Sequence, residues 1–390
     1  MNAATLYRRG HRLTRTAGAL GLCLLLSAAF LGCSQPAPPP IPPTPENSAE
    51  LSSTAIVPTL DTPLPENKSA LWCCTFQMAW DELKTDVVKE PIRLGGAEEV
   101  AERLNKNEFS PGNLTEGSYY KTAGYNRDGV HDRIRQEMNR RFPGEPVIGL
   151  GDNPPNGFTA FAFLKVGLAF DRSYPDNPDA FRFKSSDGTE TAVRSMGYLK
   201  ETQETERLPR RVSVLYCAPW GKGRTPESFV LDLDNNSKPN QLLLAAVERQ
   251  ATLQKTLAAV EEKVADNRRL KRETVFYPND RLLVPCMKGH LDHHFNELED
   301  KYFLNPEMNG LFIGTAFQSI AFQLDGTGVQ LKSTAVIKDK DKDEGKDKPD
   351  VREPKDFYFN RPFLLIMKKR DAKEPFFVMW VDNAELLEKR

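Results

Sequence analysis

Apolar positions along this chain change their period several times, and each change predicts an element. Over residues 71–104 they recur at helical spacing, at Leu71, Cys74 and Met78 and again at Val100 and Leu104, which predicts two helices. A third helix is predicted over His131–Phe142, with basic residues along one face. The period then falls to two. "FTAFAFLKVGLAF", Phe158 to Phe170, alternates with aromatics and predicts a buried strand. "DAFRFKSSDGTETAVRSM" predicts two short strands about an Asp187-Gly188 turn. "RRVSVLYCAP" and "ESFVLDLD" continue as strands, and Leu242–Arg272 is predicted as a long helix with Leu243, Val247, Leu253, Leu257 and Val260 on its apolar face. "HLDHHFNELEDKYF" is predicted helical, and "LFIGTAFQSIAFQLDGTG" returns to strand. The chain closes on two apolar runs, within "FYFNRPFLLIMKKRDAKEPFFVMW", joined by a charged bridge over Lys368–Glu374. Helices, strands, helix and strands in this order indicate an α+β fold with mixed, mostly antiparallel sheets and surrounding helices.

Composition adds little to that picture, whereas the N-terminus changes it. The 53 basic residues nearly balance the 54 acidic ones, so charge gives no reason to expect nucleic acid as a partner. Arg8, Arg9, Arg12 and Arg15 precede an apolar run, Ala17–Leu31, that ends in "FLGCSQ": a basic region, an apolar core and a small residue at a cleavage point. Residues 1–32 are therefore read as a signal peptide. The Leu31-Gly32-Cys33 end resembles the lipobox of bacterial lipoproteins, in which the Cys33 thiol would carry a lipid and become the mature N-terminus. The alternative is an ordinary cleaved signal with an incidental cysteine. Residues 33–69 are dense in Pro, Ser and Thr and read as a disordered tether, which places the start of the folded domain at residue 70. The expected location is exported, held by lipid on the periplasmic or cell-surface side of a membrane, as a monomer. Beyond Cys23 and Cys33 the cysteines are Cys73, Cys74, Cys217 and Cys286, for which paired and buried unpaired states are both open.

Catalytic motifs are missing. The sequence has no GxSxG, no HExxH and no Walker loop, so an enzyme is not expected and no cofactor is called for. The densest polar cluster is "GHLDHHFNE". On a helix His290 and His294 would fall one turn apart and could hold a metal with Asp292 or Glu297, His293 lying beside them. The competing reading is an amphipathic helix whose Leu291, Phe295 and Leu298 face the core, and no metal site is assigned.

The closing stretch carries the most specific pattern. "FYFNRPFLLIM" resembles the C-terminal signature of the serpin family: an apolar pair, Asn360, Arg361, Pro362-Phe363, then large apolar residues. "KEPFFVMWVDN" resembles the last serpin strand, with Trp380 where a Gly is common. Upstream, "FTAFAFLKVGLAFDRSYPD", "DAFRFKSSDGTETAVRSM", "RRVSVLYCAPWGKGRTPESFVLDLD" and "NPEMNGLFIGTAFQSIAFQLDGTG" are similar to serpin segments in the family's order, so the likeness runs from about Phe158 to Asn383. It implies that the two terminal runs form the buried centre of a sheet and that residues 326–356 form an exposed reactive-type loop.

The resemblance also implies a mechanism. Serpins offer the loop as bait, and after cleavage it enters the main sheet as a new strand and carries the acyl-enzyme with it. In "DGTGVQLKSTAVI", Gly326 and Thr327 match the hinge start, followed by Gly328, Val329 and Leu331. Thr327, Val329, Leu331, Ser333, Ala335 and Ile337 share one face, and Gly328, Gln330, Lys332 and Thr334 the other, which suits a half-buried strand. Counting from the hinge places the bait bond at Lys340-Asp341, within a run of alternating Lys and Asp that also reads as a solvated tip. The expected partner is an extracytoplasmic serine or cysteine protease. Val329, Gln330, Leu331 and Lys332 stand where inhibitory members carry an Ala-rich run, and residues 70–157 are too few for the family's full N-terminal half. Both departures favour the alternative, a non-inhibitory binding module using the long charged loop.

Overall fold

The computed structural model describes the backbone of residues 46–47 and residues 51–202, 205–218, 224–272, 275–331 and 353–390. In chain order the elements are β1 (Glu46–Asn47), β2 (Thr54–Ile56), β3 (Ser69–Cys73), α1 (Cys74–Glu82, extended by a π-helical turn Leu83–Val88) and α2 (Glu98–Lys106). They continue with β4 (Tyr119–Tyr125), α3 (Val130–Arg141), β5 (Phe158–Leu164), β6 (Val166–Ala169), β7 (Phe181–Lys184), β8 (Glu190–Val193) and β9 (Ser195–Tyr198). Next are β10 (Ser213–Cys217), β11 (Phe229–Asp232), β12 (Asn240–Ala246), α4 (Leu253–Arg269), β13 (Arg281–Pro285), β14 (Met287–His294) and β15 (Phe317–Asp325). The last four strands are β16 (Gly328–Leu331), β17 (Asp356–Tyr358), β18 (Phe363–Lys369) and β19 (Phe377–Val381).

A seven-stranded sheet runs β10-β11-β12-β18-β19-β3-β2, and a five-stranded sheet runs β1-β14-β15-β16-β6. A three-stranded sheet, β17-β13-β9, and the pairs β4-β5 and β7-β8 complete the set, and most pairings are antiparallel. The fold is α+β, as the pattern of elements predicts.

The terminal apolar runs explain themselves here. β18 lies between β12 and β19, and β19 between β18 and β3, so both are interior strands. Phe363–Met367 and Phe377–Val381 are buried at every position, which is why they read as continuous apolar runs rather than alternating ones. The two large sheets pack against each other where the rings of Phe322 on β15 and Phe377 on β19 approach to 5.8 Å. At the end of β18, Arg370 pairs with buried Asp232 at 2.8 Å and also donates to the carbonyls of Asp234 and Ser237.

Several elements depart from the sequence reading, each for a tertiary reason. The packed body begins upstream of residue 70, because Thr54–Ile56 pairs in parallel with Ser69–Leu71 at the sheet edge. Leu71 belongs to β3, so the first predicted helix starts only at Cys74. Leu242, Leu243 and Val247 fall in or just after β12, where pairing with β18 overrides the helical character of "LLLAAV"; the helix begins at Leu253, capped by the Thr252 hydroxyl, which accepts from the Lys255 N–H at 3.1 Å. "MKGHLDHH" is a strand, paired with β15 along its full length, and Phe295 and Leu298 are buried in the turn that follows. The 158–170 strand is broken at Lys165 into β5, which pairs with β4, and β6, which joins β16. The Asp187-Gly188 hairpin and the helix over 131–142 stand as predicted. Residues 1–45, including the predicted signal peptide and Cys33, and most of the Lys/Asp-rich loop lie outside the described residues.

Candidate functional site

The site is the hinge and the gap it opens onto. β15 ends at Asp325, whose carboxylate accepts from the N–H of Thr327 at 2.8 Å and from its hydroxyl at 2.6 Å. That closes a two-residue turn, Gly326-Thr327, with Asp325 opposite Gly328 in register. A Cβ at Gly326 would run into the carbonyl oxygen of Tyr174, and Gly328 has φ +138 with the Leu168 carbonyl where its Cβ would be. Both glycines are there because backbone from a neighbouring segment occupies the side-chain position.

From the turn, β16 runs back antiparallel to β15 on one side and to β6 on the other, Gln330 facing Gln323 and Gly167. Val329 and Leu331 are buried and Gln330 is half-buried, which is the predicted alternation. The segment expected to begin an exposed loop is therefore, past the Gly326-Thr327 turn, a sheet strand over Gly328–Leu331. Phe170 and Tyr174 clamp the turn, their N–H groups donating to the carbonyls of Thr327 (3.0 Å) and Gly326 (2.8 Å). The Tyr174 hydroxyl donates to the Leu233 carbonyl at 2.6 Å, and burial holds its pKa well above the usual phenol value.

Past Leu331 the sheet has a gap. β15 keeps β14 on one side, β5 keeps β4 on one side, and their facing edges pair with no strand among the described residues. A cavity of about 660 Å³ lies between those edges, with α1 contributing Phe76 and Trp80. Gln318 of β15 joins this wall to the start of α1: its Nε2 donates to the Cys73 carbonyl at 3.2 Å and to the Thr75 hydroxyl at 2.7 Å.

The remaining predicted residues lie elsewhere. The signature fixes the corner between β17 and β18: the Asn360 carbonyl accepts from the Lys184 N–H, Arg361 donates to the carbonyls of Pro226 and Glu227, and Phe363 packs between Phe183 and Phe359. Pro362 carries the chain into β18. Its role is architectural and remote from the hinge. Burial lowers the Arg361 pKa.

The histidines of β14 do not converge. His294 Nδ1 is 2.7 Å from Glu299 Oε1, His293 sits edge-on to the Phe295 ring, and His290 Nε2 is 3.4 Å from the Ser319 hydroxyl. No group of three or more His, Cys, Asp or Glu side chains able to hold a metal occurs among the described residues. Cys73, Cys74, Cys217 and Cys286 form no disulfide with one another. On α3, Arg140 and Arg141 pair with Glu137 and Arg135 with Asp132, so much of its basic face is compensated within the helix. Lys340 and Asp341 lie outside the described residues.

No protein-family model matches the chain, and no curated protein does. Among solved structures it is similar to human thyroxine-binding globulin complexed with thyroxine: 12% identity, 82% of this chain and 92% of that one, TM-score 0.44. It is also similar to native protease nexin-1 with heparin (9%, 81% and 92%, TM-score 0.44). Serpin48 of the insect Tenebrio molitor gives 10%, 81% and 92%, with TM-score 0.43.

Sequence reasoning missed Tyr174, Phe170, Gln318 and the gap itself. The turn was read only as the start of the hinge, although Gly326-Thr327 between two strand-like runs fits a two-residue hairpin with Gly at its first central position. The gap had no local signal, since its walls come from β5, β15 and α1, far apart in the chain.

Proposed function

We propose that this chain is an exported, lipid-anchored serpin-like protein that presents the segment after β16 as bait to an extracytoplasmic serine or cysteine protease. The observation that carries this reading is the position of β16, which turns back from β15 and enters the sheet between β15 and β6 at the head of a gap that no described strand fills. The C-terminal signature and the ordered likeness upstream support it from the sequence. In this reading the protease nucleophile attacks the Lys340 carbonyl, the Lys340-Asp341 peptide bond breaks, and the amine of Asp341 leaves. The freed strand then lengthens β16 before water can release the acyl group. The chain acts as a binder that is consumed, and the lipid on Cys33 keeps it at the membrane surface.

Cleavage within Lys338–Asp350 should raise the melting temperature by tens of degrees, because strand addition adds ladder bonds and apolar burial. An unchanged melt would remove the insertion step. A denaturant-resistant adduct with a protease is the second readout, and mass analysis of the mature N-terminus at Cys33 is the third.

A second reading, a non-inhibitory binding module using the charged loop, is favoured by one observation: Val329 and Leu331 are already buried in the sheet of the uncut chain. An unchanged melting temperature on cleavage, with no adduct across a broad protease panel, would select it.

A further inference from the structure

The segments 93–95, 302–304 and 311–313 form a small antiparallel platform. Leu94 lies opposite Phe303 and Tyr302 opposite Phe312, and the N–H groups of Gly95 and Leu304 donate to the carbonyls of Tyr302 (2.9 Å) and Arg93 (2.8 Å). Successive side chains of an extended segment point to opposite faces, so the platform sorts into two rows. Leu94, Phe303 and Ile313 form the inner row and are buried in the core. The outer row is Tyr302, Leu304 and Phe312, exposed by 61%, 53% and 46%, where alternation ordinarily places polar residues. The row is continuous: the Tyr302 and Phe312 rings are 5.7 Å apart, and the Leu304 side chain lies over Gly95, next to them. A single exposed leucine needs no account, whereas three large apolar side chains in one exposed row mark a contact surface.

What covers this row follows from where the N-terminal segment joins the body. β1 pairs with β14, with Glu46 opposite Leu291. Glu46 is thirteen residues on from Cys33, a reach of at most about 45 Å. Tyr302 is eleven residues on from Leu291, so the platform lies within about 40 Å of that junction. A lipid on Cys33 and the platform can therefore meet the same bilayer surface. The side chains suit it: Tyr302 has an apolar ring and a polar tip for the headgroup level, while Leu304 and Phe312 supply apolar surface to the acyl boundary. Flanking charges are of both signs, Arg93 and Lys301 against Glu90 and Asp300, so the attraction is apolar rather than electrostatic.

We propose that Tyr302, Leu304 and Phe312 are a membrane contact that seats in the interfacial layer of a bilayer. The choice of a lipid surface as occupant rests on the lipid-anchor reading; the exposed row does not. Such a contact fixes which side of the body faces the membrane, which attachment through Cys33 alone leaves open.

The test uses the mature chain, residues 33–390, carrying Cys33→Ser so that no lipid is attached, co-sedimented with vesicles of phosphatidylethanolamine and phosphatidylglycerol. It should partition onto them saturably, and nearly equally at low and high salt. The variant Tyr302→Ser/Leu304→Ser/Phe312→Ser should partition about 10- to 100-fold less. Its melting temperature should stay unchanged, because the three side chains are exposed. Leu304→Trp should partition more strongly than the parent. No binding by the unlipidated chain, binding that the triple variant keeps, or binding that high salt abolishes would each overturn the contact. So would a chain that ignores vesicles but is a dimer by sedimentation equilibrium and a monomer as the triple variant, since the row would then join two copies. If the triple variant is unstable, Tyr302→Ser and Leu304→Trp still decide by shifting the partition in opposite directions or failing to. Mass analysis of the native N-terminus reads the Cys33 lipid without vesicles, so a missing lipid and an inert platform are told apart.

Discussion

The backbone N–H of Tyr174 donates to the carbonyl oxygen of Gly326 at 2.8 Å, and the carbonyl of Tyr174 occupies the place where residue 326 would carry a Cβ. The two backbones are in direct contact at the turn from which β16 enters the sheet. Tyr174 cannot withdraw, because its ring packs edge-on against Phe170 and its hydroxyl is bonded to Leu233. Gly326→Ala is expected to lower stability by about 2 kcal/mol through this overlap, read as a lower urea midpoint with unchanged slope. It should also expose the 325–331 segment to proteolysis. An alanine variant as stable as the parent would show that the clamp is slack.

Arg370 and Asp232 give a second prediction. Asp232 is almost wholly buried and accepts from Arg370 at 2.8 Å and from Gln241 at 2.7 Å. Arg370→Met leaves that carboxylate without its cation and should cost roughly 3 kcal/mol. Adding Asp232→Asn should recover part of the loss, since the residual charge is removed while the contact with Gln241 can be kept. Denaturant melts of both single variants and the double variant give the coupling.

His293 predicts a pH dependence. Burial against Phe295 is the main reason that its pKa falls from 6.5 to about 4, with neighbouring His294 lowering it further and Glu299 opposing. The unfolded chain then takes up a proton near pH 6.5 that the folded chain refuses until about pH 4, so stability falls as pH drops through that window. The loss should be at most on the order of 3 kcal/mol, less what solvent screening of the partly exposed ring removes, and should level off below pH 4. Asp81 and Asp234, whose carboxyl pKa values are raised by burial, act in the opposite sense, so the quantity to measure is the difference between the parent and His293→Gln. Parallel stability curves for the two across pH 4–7 would contradict this assignment.

How much of this was visible in the sequence depends on whether a segment's partner left a local trace. The terminal runs Phe363–Met367 and Phe377–Val381 were legible because an interior strand must be apolar on both faces. The alternation of Val329, Gln330 and Leu331 was legible for the complementary reason, one face buried and one open. "LLLAAV" and "GHLDHHFNE" were misread because their apolar spacing also fits a helix, and only pairing with β18 and β15 decides against it. The β2 strand hid inside a Pro/Ser-rich stretch because a three-residue strand at a sheet edge needs few large side chains. Gln318 carried no signal at all, since its meaning comes from a carbonyl at Cys73, far away in the chain.

The register of β16 supplies the most direct structural test of the bait-loop proposal. Gln330 faces Gln323 and Val329 faces Leu324 on β15, so an antiparallel strand that continued past Leu331 would bring Thr334 opposite Ser319. A Ser319→Cys/Thr334→Cys pair, made with Cys217→Ser so that the half-exposed native thiol does not compete, should crosslink under mild oxidation after the Lys338–Asp350 loop has been cut. Cys73, Cys74 and Cys286 are buried and should stay out of the reaction. The neighbouring pair Ser319→Cys/Ser333→Cys is one residue out of register, with its side chains on opposite faces of the sheet, and should crosslink poorly. Equal yields for the two pairs would mean that residue 334 reaches Ser319 by collision rather than as a strand, whereas efficient crosslinking before cleavage would mean that β16 lengthens in the intact chain and that the loop is spent without a protease.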